Sequence, residues 1–122
     1  MTLTTFERLL TPVGRAALAA ASELRPTETS YPACADRLAK AFPVDLSRAA
    51  LDTVLLREKA GPKFARAAEM YFSREALEMA SGEVVASHRA KRFAAFPTVA
   101  DLCCGIGGDA LALAAAGRNV VA

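Results

Sequence analysis

The chemistry this sequence can support is concentrated in residues 101–109, which read Asp-Leu-Cys-Cys-Gly-Ile-Gly-Gly-Asp. Gly105 and Gly107 carry no Cβ, so the chain can turn sharply there and pass close to a bound molecule. A helix starting just after them would aim its free amide groups at that molecule, and those amides suit an anionic group. A glycine pattern by itself is weak evidence, since many turns contain glycine. Here it follows a strand-like stretch, precedes a helix-like one and has an acidic residue at the junction.

The elements that must position this loop can be read from periodicity and caps. Thr98 to Cys103 has the pattern of a short buried strand. Asp109 to Ala116 reads as a helix stopped by Gly117, and Asn119 to Ala122 begins a second strand. Strand, glycine turn, helix and strand in this order form the first βαβ unit of a doubly wound sheet. A dinucleotide site has its glycines as G-x-G-x-x-G. Gly105 and Gly107 match its first two, but the sixth position is Ala110. Alanine is sometimes accepted there, so that alternative stays open.

Ahead of Pro97 the chain reads as helices joined by short turns. Thr11-Pro12 starts one that carries Val13, Ala17, Leu18 and Ala21 to about Leu24, ending at Arg25-Pro26. Ser30 is placed to cap a second, with Cys34, Leu38 and Ala41, that Pro43 breaks. Asp45 opens a longer one with Leu46, Ala49, Ala50, Val54 and Leu55 on one face, closed by Gly61-Pro62. Lys63–Met70, Ser73–Ala80 and a stretch from Glu83 to Arg92 complete the set. The expected fold is mainly α: a helical N-terminal domain over residues 1–95, then the start of an α/β domain over residues 96–122.

Composition narrows the class. Of 122 residues, 53% are hydrophobic and 23% charged, which favours a folded globule over a disordered chain. A net charge of +2 is too small to argue for a nucleic-acid partner by field alone. Charges interrupt every apolar run, so no membrane partner is expected, and Glu7 and Arg8 fall where a secretory signal needs apolar residues. Three cysteines, two of them adjacent, do not make a disulfide framework. The expected setting is soluble, reducing and cytoplasmic.

The remaining reactive side chains favour structural roles. His88 is the only histidine, so no His-based metal site can form, and no metal is expected. Cys34, Cys103 and Cys104 read as small core side chains. Arg89, Lys91 and Arg92, with Arg74 and Lys63, are candidates for RNA phosphates, although basic groups at helix ends are commonly solvated. Tyr71 and Phe72 could stack on a base, against an ordinary core role. A non-enzymatic helical adaptor or RNA-binding module is the rival functional class.

The segment Asp101–Asp109 resembles the first motif of class I S-adenosylmethionine-dependent methyltransferases. The resemblance implies that the helix amides face the methionine carboxylate of S-adenosyl-L-methionine and that Asp101 reaches its ammonium group. The implied cofactor-binding residues are Asp101, Cys103, Gly105, Gly107, Gly108 and Asp109. Cys103 stands where the family's first glycine usually lies. The form Asp-x-x-Cys-Gly-x-Gly is similar to methyltransferases of nucleic acids, and the helical front fits the trimethylguanosine-synthase-like group best. Met70–Leu77 and Ser81–Ala86 also resemble the segment that precedes that group's motif, so the likeness covers roughly residues 64–122. It makes Ser81 and Gly82 a candidate cofactor wall, where many relatives have Thr-Pro. The alternative there is an ordinary helix start with a core-facing Val84-Val85 pair. The implied activity is methyl transfer to an acceptor, with RNA as substrate. In the family, the ribose-binding acidic residue and the catalytic motif follow the second strand, beyond Ala122. The catalytic residues are therefore unknown, and this stretch alone is expected to be inactive. The edge of its strand Thr98–Cys103 is expected to invite pairing with a second copy.

Overall fold

The computed structural model of the chain describes residues 2–122 and divides into two compact units, Met1–Lys59 and Ala60–Ala122. Among the described residues the structure is mainly helical, with one small parallel sheet.

The first unit holds α1 (Leu3–Leu9), α2 (Pro12–Leu24), α3 (Tyr31–Leu38) and nearly all of α4 (Val44–Ala60). The sequence reading assigned no helix before Thr11. In α1, Thr2 supplies the cap by accepting from the Thr5 amide at 3.2 Å. Thr11 caps α2 through the Gly14 amide, with proline at the first helical position. Arg25 ends α2 in the left-handed region, at φ 46°. Ser30 precedes α3 but does not cap it: its hydroxyl accepts from the Thr27 amide and hydroxyl instead, a local turn that competes with capping. Ala41 lies in the turn beyond α3. The expected apolar faces are buried at Ala17, Leu18 and Ala21, at Cys34 and Leu38, and at Leu46, Ala49, Ala50 and Val54. Gly14 lets α1 and α2 touch at their backbones: an added Cβ would lie 2.1 Å from the Arg8 carbonyl oxygen and 2.4 Å from Leu9 Cα.

The second unit opens without the helix expected there. Lys63–Met70 is not an α-helix; only a 3₁₀ turn, Ala67–Glu69, forms there. The Lys63 carbonyl accepts from the Glu83 amide at 2.9 Å, and the Ala67 amide bonds Phe64, so the i→i+4 ladder cannot start. Next come α5 (Arg74–Met79), capped by Ser73, and α6 (Glu83–Lys91). Then β1 (Thr98–Ala100) leads through the glycine loop to α7 (Gly108–Ala115) and β2 (Asn119–Val121). The strands pair in parallel, Thr98 with Asn119, Val99 with Val120 and Ala100 with Val121. The change from helix to strand at Pro97 thus lies inside the second unit.

The strand is shorter and more open than its sequence suggests. Asp101 still donates its amide to the Val121 carbonyl, at 2.7 Å, but Leu102 and Cys103 form a turn. Thr98 and Ala100 are exposed, because a two-stranded ladder covers little of its own surface. Helices α6 and α7 pack through small residues: Ala86 and Ala90, four apart, are buried on α6. Val84 and Val85 therefore face solvent, at 85% and 53% exposure, and are not the core-facing pair. Arg118 braces the strand entry, donating to the Ala94 carbonyl at 2.9 Å and the Phe96 carbonyl at 3.3 Å. No helix among the described residues is long and apolar enough to cross a membrane.

Candidate functional site

At the end of β1 the chain leaves the ladder at Asp101 and enters the loop. Asp101 is half-buried, and its Oδ2 is shielded from solvent with no hydrogen-bond partner. A carboxylate oxygen withdrawn from water without a donor is costly, which makes this oxygen a place where a donor would be favoured. Gly105 and Gly107 sit at φ +55° and +80°, where side chains are strained. The Gly107 amide closes the loop on the Cys104 carbonyl at 2.8 Å. A Cβ at either glycine would meet nothing within 4 Å, so open space lies beside both. No side chain caps α7, so its first-turn amides have no side-chain acceptor at the cap position.

Ser81 reaches the same place from the connection between α5 and α6, whereas Gly82 lies against Lys63. The Ser81 carbonyl oxygen would lie 3.4 Å from a Cβ on Gly108, and the Phe64 ring 3.5 Å from it. Gly108 is thus the point where the α5–α6 connection and a buried aromatic meet the first turn of α7. Arg89 ties the connection to α7: it pairs with the Asp109 carboxylate and lies 3.4 Å from the Ser81 hydroxyl. The other Asp109 oxygen, Oδ1, is buried and unpartnered. Of the residues singled out from sequence, Ser81, Gly108 and Asp109 are brought together, and Asp101, Gly105 and Gly107 shape the open loop. Cys103 stands apart on the exposed turn, and Cys104 is half-exposed, so neither is the core side chain expected. The turn begins one residue after Asp101, before the chain can run back under a covering layer.

Lys63, a phosphate candidate from the sequence, has a different role that sequence reasoning missed: it holds this arrangement. The Lys63 ammonium donates to the Leu77, Glu78 and Ala80 carbonyls at 2.7, 3.2 and 3.1 Å, capping the C-terminus of α5. Its carbonyl meanwhile anchors Glu83 at the start of α6. Both ends of the Ala80–Gly82 connection are therefore fixed by one residue. Lys63 and Arg89 were candidates for phosphate contacts; both are engaged within the unit, while Arg74, Lys91 and Arg92 are exposed. Tyr71 is half-buried, and Phe72 is buried against Phe64 with ring centroids 5.8 Å apart. His88 is exposed. No group of three or more His, Cys, Asp or Glu suited to a metal occurs among the described residues.

A cavity of about 550 Å³ borders Gly108, lined by Phe64, Met70, Leu111 and Ala112 together with Glu69 and Glu83. Arg66 pairs with Glu69 there, and its hydrogen bond and charge hold the Glu69 carboxyl below the usual carboxylate range.

A family model described as a domain of unknown function, DUF8688, matches residues 2–60. The match coincides with the first compact unit and stops where the second begins. No curated protein and no solved structure matches the chain.

Proposed function

We propose that the loop Asp101–Asp109 is the methionine-binding edge of an S-adenosyl-L-methionine site, and that β1, α7 and β2 are the first βαβ of a Rossmann-like methyltransferase domain. The observation that carries this reading is the shielded, partnerless Asp101 Oδ2 at the end of β1, beside a loop bent by two left-handed glycines. An ammonium group is the donor such an oxygen lacks. The uncapped first turn of α7, a few residues on, supplies amides for a carboxylate. An α-amino acid moiety offers both groups, so the donor set fits the cofactor's methionine end.

In this reading Asp101 holds the ammonium, the α7 amides hold the carboxylate, and Gly105 and Gly107 keep side chains out of the way. Ser81 and Gly82 form a wall at Gly108, kept in place by Lys63 and Arg89. The bound cofactor supplies an electrophilic methyl group for transfer to an acceptor. We assign RNA as the acceptor class on the exposed Arg74, Lys91 and Arg92, with the cytoplasm as the setting.

Calorimetric titration of the whole protein with S-adenosylmethionine tests the site. Binding that is lost in Asp101→Ala and in Gly105→Val supports it. Binding unaffected by both substitutions sinks it, and tight binding of NAD in its place would favour the dinucleotide alternative.

A further inference from the structure

The motif's two adjacent cysteines are left without a role by the reading above, and their placement suggests one. Cys103 is exposed and Cys104 half-exposed, whereas Cys34, the remaining cysteine, is buried in the first unit. The accessible thiols of the chain are therefore a pair joined by a single peptide bond. That pair sits on the turn leaving β1. The Cys104 thiol approaches the Gly105 carbonyl at 3.9 Å, and the Cys104 carbonyl accepts the Gly107 amide that closes the glycine loop. The Cys104 carbonyl belongs to the following peptide, Cys104–Gly105, so a change in the Cys103–Cys104 linkage reaches the loop by turning the backbone at Cys104 Cα.

We propose that Cys103 and Cys104 are an oxidation site, closing to a disulfide between neighbouring residues when the protein meets a hydroperoxide. The chemistry balances. The more exposed Cys103 sulfur attacks the peroxide, the O–O bond breaks, an alcohol leaves and a sulfenic acid remains. The Cys104 sulfur then attacks that sulfur and expels its oxygen as water. The two thiols lose two electrons and two protons, which reduce the hydroperoxide to alcohol and water. No resolving thiol from elsewhere is needed.

The geometry also sets the character of the bond. The Cys103–Cys104 peptide is trans, because the described residues contain no cis peptide. Its Cα atoms are then about 3.8 Å apart, closer than the roughly 4.4–6.8 Å of ordinary disulfides. A ring closed at that spacing is strained and easily reduced, which suits a reversible modification rather than a structural cross-link. Closing it turns the backbone at Cys104, which tilts the Cys104–Gly105 peptide and pulls the Cys104 carbonyl off the Gly107 amide. The inference needs no cofactor and stands apart from the methyltransferase reading.

The test treats the folded protein with hydrogen peroxide and counts maleimide-reactive thiols under native conditions. The expected result is a fall from two to none, with an intact mass lower by two hydrogens, full recovery with glutathione and faster exchange at the Gly107 amide. Cys104→Ser should instead trap a sulfenic acid at Cys103 that dimedone labels. Phenylarsine oxide should protect both thiols of the reduced protein from maleimide, one reagent per chain, and neither single serine variant should show this. Two thiols that stay reactive, a product cross-linked between chains, or oxidation at Cys34 would each overturn the proposal, as would arsenical capture without any disulfide.

Discussion

Replacing Gly14 with alanine sets two effects of opposite sign against each other. On helix propensity alone, alanine in α2 should stabilise by up to about 1 kcal/mol. Packing says the reverse. The new Cβ would lie 2.1 Å from the Arg8 oxygen, 2.4 Å from Leu9 Cα and 2.5 Å from the Leu9 oxygen. Carbon contacts want about 3.5–4.0 Å, and all three neighbours are backbone atoms, so no side chain can swing aside. The end of α1 must retreat by more than about 1 Å on that spacing. Leu9 is fully buried, and its exposure alone forfeits about 1.5–3 kcal/mol. The Thr11 bonds to the Arg8 carbonyl, at 2.6 and 3.2 Å, go with it, at about 0.5–1.5 kcal/mol each. Subtracting the propensity gain leaves a net loss of about 2 kcal/mol or more, a fall of about 8–16 °C in Tm for a unit this size. Urea unfolding followed by far-UV circular dichroism measures it, with the exposed Ala16→Gly in the same helix as a propensity control. A Gly14→Ala protein as stable as the parent, or more so, would refute the close approach of α1 and α2.

Other expectations follow from the same geometry. Burial first, then the hydrogen bond to Asp52 at 2.8 Å and its charge, push the Tyr31 hydroxyl from its ordinary 10 up to about 12, against a smaller opposing effect of Arg48. The folded state holds that proton longer, so its stabilisation is complete below pH 10 and lost as pH rises to about 12. Urea midpoints should show Tyr31→Phe less stable at neutral pH, with the gap to the parent narrowing across that window. Gly107→Ala, at φ +80°, should cost about 1–2 kcal/mol in thermal unfolding. Gly108→Ala, helical and with contacts no closer than 3.4 Å, should stay within about 0.5 kcal/mol of the parent. Lys63→Met strips the donor from three carbonyls, and amide exchange should reveal loss of protection along Ala76–Ala80 with about 1–3 kcal/mol of destabilisation.

Much of the helical layout was legible because its signals are local. Thr11-Pro12, Ser73 and Gly117 act within one turn of themselves, and each marks a boundary where the structure has one. Most of the failures have a non-local cause, and one has a local competitor. Lys63–Met70 has acceptable helical residues, but the Lys63 carbonyl is committed to Glu83, twenty residues away. Ser30 has a capping side chain, but Thr27 captures it. Val84 and Val85 are more apolar than Ala86 and Ala90, yet the alanines are buried, because close helix contact selects for smallness. Leu3–Leu9 is not legible because one short helix shows too little periodicity, and its close contact with α2 depends on the missing Cβ of Gly14.

The same distinction separates what the motif predicts from what it does not. A glycine at φ +80° and an aspartate at a strand end are properties of one chain segment, and the segment Asp101–Asp109 carries them in its own residues. Exposure is a property of what lies over the segment, so reading Cys103 and Cys104 as core assumed a layer that a turn at Leu102 does not enter. The contact between Ser81 and Gly108 depends on a third party as well. Lys63 closes α5 with its ammonium and opens α6 with its carbonyl, so the Ala80–Gly82 connection has little freedom to leave Gly108. If that connection is a wall of the proposed site, its rigidity comes from a lysine with no place in the motif. Lys63→Met should then weaken S-adenosylmethionine binding in calorimetry with Asp101 and the loop intact, whereas Lys63→Arg, which keeps a donor for the same carbonyls, should restore part of it. Equal affinities in the parent and both variants would leave Lys63 a helix cap and nothing more.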